Sequence, residues 1–115
     1  MSSINSKIEE ALRPVTENIW PLCCPYKQPP DFYIVYNPEI EETGLYGDNE
    51  DQEWIQNMQV HLYTKSDYTK PRRKIRKLLR QNKMTVTDIT TLYEKETRYN
   101  HLCFSFQVEE DLEEE

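Results

Sequence analysis

Two stretches of strict alternation constrain this chain more than any other feature. In residues 53–64, Trp54, Met58, Val60 and Leu62 take even positions, with Gln56 the exception, and Ile55, Asn57, Gln59, His61 and Tyr63 take the odd ones. In residues 101–108, Leu102, Phe104, Phe106 and Val108 alternate with His101, Cys103, Ser105 and Gln107. A period of two belongs to a β-strand, and one apolar face per strand belongs to a sheet covered on one side. Something amphipathic must then lie over the apolar side.

Two helices are available for that task. Ile4, Ile8, Leu12, Val15 and Ile19 recur at three- and four-residue steps, with Ala11 beside them. Ser6 and Glu9 can form a capping box, or Ser2 or Ser3 can cap a longer helix. Pro14 predicts an end or kink near Arg13, because its ring clashes with the preceding turn. The second helix has Ser66 or Thr69 as cap, Pro71 in its first turn, and Ile75, Leu78 and Leu79 as a narrow apolar stripe. Asn82 is its expected left-handed terminator.

The remaining segments fit between these elements. Residues 20–30 hold Pro21, Pro25, Pro29 and Pro30, a density that predicts a loop. Residues 31–37 contain Phe32, Tyr33, Ile34, Val35 and Tyr36 and predict a strand. Residues 38–52 hold both glycines, Gly44 and Gly47, and read as a long polar hairpin arm with a short strand around Ile40. Residues 84–93 predict a Thr-rich strand and residues 94–99 a polar turn. The expected order is α, β, β, α, β, β. That is an α+β fold: an antiparallel sheet of about four strands with two helices on one face. It forms a single domain over residues 1–108, followed by a disordered acidic tail over 109–115. Eight Tyr and two Trp supply the buried area that a mean hydropathy of -0.90 does not promise. No run of about 18 apolar residues is present, and no basic stretch precedes an apolar one near the start, so an intracellular domain without a membrane partner is expected.

Charge is polarised along the chain. The net charge is -7, yet residues 109–115 carry six acids and no base, and residues 39–53 carry seven acids and no base. Opposing them, Lys70, Arg72, Arg73, Lys74, Arg76, Lys77, Arg80 and Lys83 hold eight of the 14 positive charges. Opposite patches favour head-to-tail association between copies. The acidic arm (Glu39, Glu41, Glu42, Asp48, Glu50, Asp51) is one candidate partner surface. The basic helix (Arg72, Arg73, Arg76, Lys77, Arg80) is the candidate subunit interface. The alternative is a nucleic-acid-binding regulator using residues 70–83, since eight cations can neutralise phosphates. A pI near 4.9 opposes free nucleic-acid binding.

Catalytic chemistry finds little support. Cys23, Cys24 and Cys103 have no zinc-ligand spacing, and a site with His61 or His101 would need four ligands from distant points. No metal or cofactor is expected, and the thiols read as free. His61, His101 and Cys103 fall on the outward faces of their strands. They would approach one another if those strands are neighbours, and a Cys–His pair is then conceivable. No Gly-rich turn beside them offers an oxyanion hole or phosphate cradle, so no catalytic residue is assigned and no enzyme is expected. Asp48, Asn49, Glu50 and Asp51 are at most a weak attraction for a divalent cation.

The run from Asp31 to Asn37 (DFYIVYN), the acidic arm after it and the segment WIQNMQVHLYT over 54–64 resemble small phage and prophage morphogenesis proteins. So do RRKIRKLL over 72–79, TVTDI over 85–89 and FSFQV over 104–108. The chain is similar, from about Ile4 to Val108, to the tail-terminator (tail-completion, head-tail joining) proteins of long-tailed bacteriophages. That resemblance implies a structural protein of the virion tail or neck, assembled in the host cytoplasm. It implies a ring, usually of six copies, that caps the tail tube and meets the head connector. DNA would pass through the lumen without specific binding, past a lining of like charge. The resemblance carries no catalytic residues.

Overall fold

The computed structural model describes residues 3–39 and 55–109. Along them run α1 (Ile4–Leu12), β1 (Ile19–Pro21), β2 (Phe32–Pro38), β3 (Ile55–Thr64), α2 (Thr69–Gln81), β4 (Thr85–Glu94) and β5 (Tyr99–Glu109). The strands form one mixed sheet in the order β1-β2-β3-β5-β4. Only the β1–β2 pair is parallel.

Register explains where the core sits. Ile34 faces Leu62, which faces Leu102; Tyr36 faces Val60, which faces Phe104; and Met58 faces Phe106. These side chains share one face, and they join one buried cluster with Ile8, Ala11 and Leu12 of α1 and Ile75 and Leu79 of α2. Both helices therefore pack on the same side of the sheet. Each fully buried aliphatic or aromatic side chain there stabilises the fold by roughly 1.5–3 kcal/mol relative to exposure.

The helix ends show why these elements stop where they do. The Ser3 hydroxyl accepts a hydrogen bond from the Ser6 amide at 3.1 Å and caps α1, so the Ser6–Glu9 box is not used. The helix ends at Leu12, one residue before the Arg13 cap, as Pro14 requires. Thr69 donates its amide to the Asp67 carboxylate at 3.2 Å ahead of α2, and Pro71 lies in the first turn. At the far end Asn82 is not left-handed (φ -99°); Lys83 is, at φ 65°. The Lys83 amide bonds the Arg80 carbonyl and the Met84 amide bonds the Leu79 carbonyl, so the helix closes in a Schellman motif. The positive φ at Lys83 brings Met84 into the core against Leu79.

Three expectations need correction. The sheet has five strands, not four, because residues 19–21 inside the proline-rich stretch form β1. Ile19 faces Ile34 in this edge strand instead of extending the stripe of α1. Pro21 is tolerated because it ends an edge strand, where a missing amide breaks no central ladder. Glu109, counted with the acidic tail, closes β5 opposite Ile55. Consecutive antiparallel β2 and β3 are joined by residues 39–54, and Pro38, expected in the arm, closes β2 opposite Met58. The rest of the hairpin arm after Glu39, the strand around Ile40 and the position of Trp54 lie outside the described residues, as do residues 110–115.

Candidate functional site

α2 carries its charge against its own stability. Arg72, Arg76 and Arg80 stand at successive i,i+4 steps, as do Arg73 and Lys77, and like charges at that spacing each destabilise a helix by roughly 0.2–0.5 kcal/mol. Lys70 and Arg72 sit near the N-terminal end, where the helix dipole disfavours cations, and no acid lies in the first turn. Tertiary packing of Ile75 and Leu79 holds the helix in place. Arg73, Arg76, Lys77 and Arg80 are exposed and Arg72 is half-buried.

None of Arg72, Arg73, Arg76, Lys77 and Arg80 forms an ion pair with an acid among the described residues. The ion pairs there are Arg13–Glu9, Lys65–Asp31 and His101–Glu94, and none involves α2. Lys74 donates to the Pro14 carbonyl at 3.0 Å, and Lys70 is near enough to Asp67 to favour its ionised form. Of the acidic arm, Glu39 is half-buried and extends the β2–β3 ladder through its amide to the Asn57 carbonyl at 2.9 Å. Glu41, Glu42, Asp48, Glu50 and Asp51 lie outside the described residues.

The face of the sheet opposite the helices holds a second group of side chains. Tyr33, Tyr63 and His101 lie side by side across β2, β3 and β5; Val35, His61 and Cys103 form the next row. Tyr63 stacks on His101 with ring centroids 4.3 Å apart, and on Tyr33 at 4.9 Å. Part of this face is roofed by the proline-rich loop. Trp20 packs edge-on against Tyr26, Cys24 packs against the Tyr33 cluster, and the Tyr99 hydroxyl donates to the Pro30 carbonyl at 2.8 Å.

His61 and His101 come together as neighbouring strands would bring them. His61 Nδ1 lies 2.9 Å from His101 Nε2, and His101 Nδ1 lies 3.3 Å from a Glu94 oxygen. An ionised carboxylate only accepts, so His101 carries its proton on Nδ1. Its Nε2 then accepts from His61 Nδ1–H, which leaves the lone pair of His61 on Nε2. Burial, reinforced by the neighbouring imidazole, pushes the His61 pKa down to about 4. Burial also lowers His101, with Glu94 opposing the shift. His61 is therefore neutral at pH 7.

Cys103 stands directly across from His61. Burial raises its thiol pKa, with a hydrogen bond involving Ser105 partly opposing. That is the reverse of what activates a cysteine nucleophile. Cys23 is exposed and Cys24 half-buried in the loop after β1, and all three cysteines are free. Glu94 is the member of this group that sequence reading placed in a turn. It is the last residue of β4, opposite Tyr99, and so lies diagonally across from His101.

No family model matches this chain, and no curated protein matches it significantly.

Proposed function

We propose that this chain is a structural subunit of a long-tailed phage or prophage, a ring-forming protein that caps the tail tube and joins it to the head connector. The observation that carries the proposal is the charge of α2, which is not paired with an acid among the described residues. Arg72, Arg73, Arg76, Lys77 and Arg80 cost the free subunit stability and have no acidic partner among the described residues. Such a surface is offset by a partner of opposite sign. The same chain carries acidic runs elsewhere in its sequence. A basic surface meeting a distinct acidic one makes a head-to-tail contact, the kind that closes into rings. The α+β order and the sequence resemblance from Ile4 to Val108 support the same reading. In this reading the acidic segment over residues 39–53, or the one over 109–115, lines the lumen and repels DNA phosphates.

Light scattering after size exclusion tests the proposal, with and without generic duplex DNA. The expected mass is near six times 13.9 kDa, with no co-elution with DNA. The double substitution Arg76→Glu with Arg80→Glu is expected to dissolve the ring while leaving the circular dichroism unchanged. A monomer that elutes with DNA in a salt-dependent way would instead establish residues 70–83 as a nucleic-acid surface. A monomer that binds neither DNA nor purified tail tubes would overturn both readings.

A further inference from the structure

We infer that the two edges of the sheet are the two halves of a contact between copies of this chain: an apolar knob after β1 of one copy packs on the open β4 edge of the next. This rests on the ring-forming reading above and names the surfaces that meet. Among the described residues five large hydrophobics are exposed: Leu22, Tyr26, Ile55, Leu92 and Tyr93. Scattered singly, such residues need no explanation. Here four of the five fall in two pairs, and the strand order sets the pairs at opposite edges of the sheet. Leu22 (70% exposed) and Tyr26 (59%) follow β1, whereas Leu92 (55%) and Tyr93 (59%) lie near the end of β4.

The two edges differ in build. Leu22 is held at φ 69°, a conformation that disfavours any residue with a Cβ, while its amide bonds the Tyr36 carbonyl at 2.8 Å. Strain kept at an exposed apolar residue points to a contact made there. Tyr26 is fixed edge-on against Trp20, and Tyr99 ties the far end of the loop at Pro30, so the knob is ordered before it binds. The β1 backbone leaves little for a further strand to pair with. Pro21 has no amide, its carbonyl accepts from Cys23 at 2.7 Å, and the Ile19 amide bonds the Glu17 carbonyl at 3.0 Å. β4 is the contrary case: ten residues long, without proline or lysine, and regular from Ile89 onward, beyond its bulge at Val86/Asp88. Leu92 and Tyr93 are consecutive, so they flank that edge on both faces of the sheet.

Charge decides how two copies meet. α2 lies against β4 and α1 against β1. Two β4 edges joined about a two-fold axis would set the cations of two α2 helices side by side. The flank of α1 and β1 has no such run of cations and exposes Glu10 and Glu17. The contact is therefore head-to-tail, knob to edge. It leaves a free knob at one end of each pair and a free edge at the other, which is the condition for a ring to close.

The test is light scattering of full-length Leu22→Asp and Leu92→Asp, each alone and then mixed one to one. Both sites are exposed, and aspartate tolerates the left-handed position, so circular dichroism should be unchanged. Each variant alone is expected to be a monomer, since every contact it could make lacks one half. The mixture should give a dimer near twice 13.9 kDa, because one intact knob meets one intact edge and neither copy can extend the pair. Tyr26→Asp and Tyr93→Asp repeat the test if either leucine variant is unfolded. Rings of wild-type mass from either variant would overturn the edge contact and leave the ring to α2. A dimer of Leu22→Asp alone would overturn it as well, being the two-fold β4 pair, and so would a mixture that stays monomeric. A monomeric wild type would overturn this contact, while capping of purified tail tubes would still decide the ring.

Discussion

On the helix-covered face Val60, Leu62, Phe104 and Phe106 are fully buried among aliphatic and aromatic neighbours. On the opposite face the same two strands carry His61, Tyr63, His101 and Cys103, half-buried and tied by stacking and hydrogen bonds. The residues alternate one by one along the chain, so backbone geometry is shared and only the surroundings differ. The covered face is held by area removed from water, which is indifferent to pH. The other face is held by specific pairs, several of them titratable. One sheet thus separates the source of stability from the place where titratable groups meet.

The sharpest way to break this comparison is to substitute neighbours across the two faces. Phe104→Ala should destabilise by about 3–5 kcal/mol through a cavity under both helices. Cys103→Ser, one residue away, should change stability by less than about 1 kcal/mol and leave assembly intact. Equal losses in denaturant unfolding would show that the faces are energetically alike.

A pH series sharpens the second half of the comparison. His61 titrates near 6.5 when unfolded and at about 4 when folded, so between those values the unfolded chain binds more protons. The contribution of this residue is complete above about pH 6.5 and is lost as pH falls towards 4. His61→Gln should flatten that part of the melting-temperature profile relative to wild type. An unchanged slope would assign the acid sensitivity to carboxylates instead.

Smaller effects are expected at the margins. Tyr99→Phe removes the hydroxyl that holds the Pro30 carbonyl and should cost about 1 kcal/mol, with faster proteolysis of residues 22–30. Lys83→Gly should stabilise by up to about 1 kcal/mol, because only there does a side chain occupy the left-handed C′ position of α2. Loss of stability on that change would mean that the lysine stem contributes packing over the core.

What the sequence disclosed follows from how far each pattern extends. β3 and β5 are long enough for alternation to be plain, and from Met58 to Thr64 and from His101 to Phe106 buried even positions alternate with half-buried odd ones. The meeting of His61 with His101 follows from that alternation wherever the two strands are neighbours. β1 was hidden because three residues have no measurable period, and Ile19 also fits an i+4 step from Val15. Its strand character comes from a parallel partner fifteen positions on, Ile34, which no local pattern reveals. Asn82 has the better intrinsic tolerance of positive φ, yet Lys83 takes it, because the geometry of the last turn must place Met84 in the core. Glu94 reads locally as turn because its role depends on a diagonal neighbour rather than on adjacent residues.

The strand order has a consequence for how the molecule comes to exist. β4 and β5 meet through a tight turn and can pair early, as local hairpins do. β3 cannot complete its pairing so cheaply. Its inner partner is β5, with Thr64 facing Asn100 and Ile55 facing Glu109, so all of α2 and β4 must be made and folded back first. Until then Met58, Val60 and Leu62 have β2 on one side and an open ladder on the other. A nascent chain stopped anywhere before β5 exposes that ladder, and it can be satisfied by the wrong strand of another chain. The slow event in folding should be the docking of the β4–β5 hairpin on β3 through β5, and the interval before it is when the chain is most exposed to misassembly.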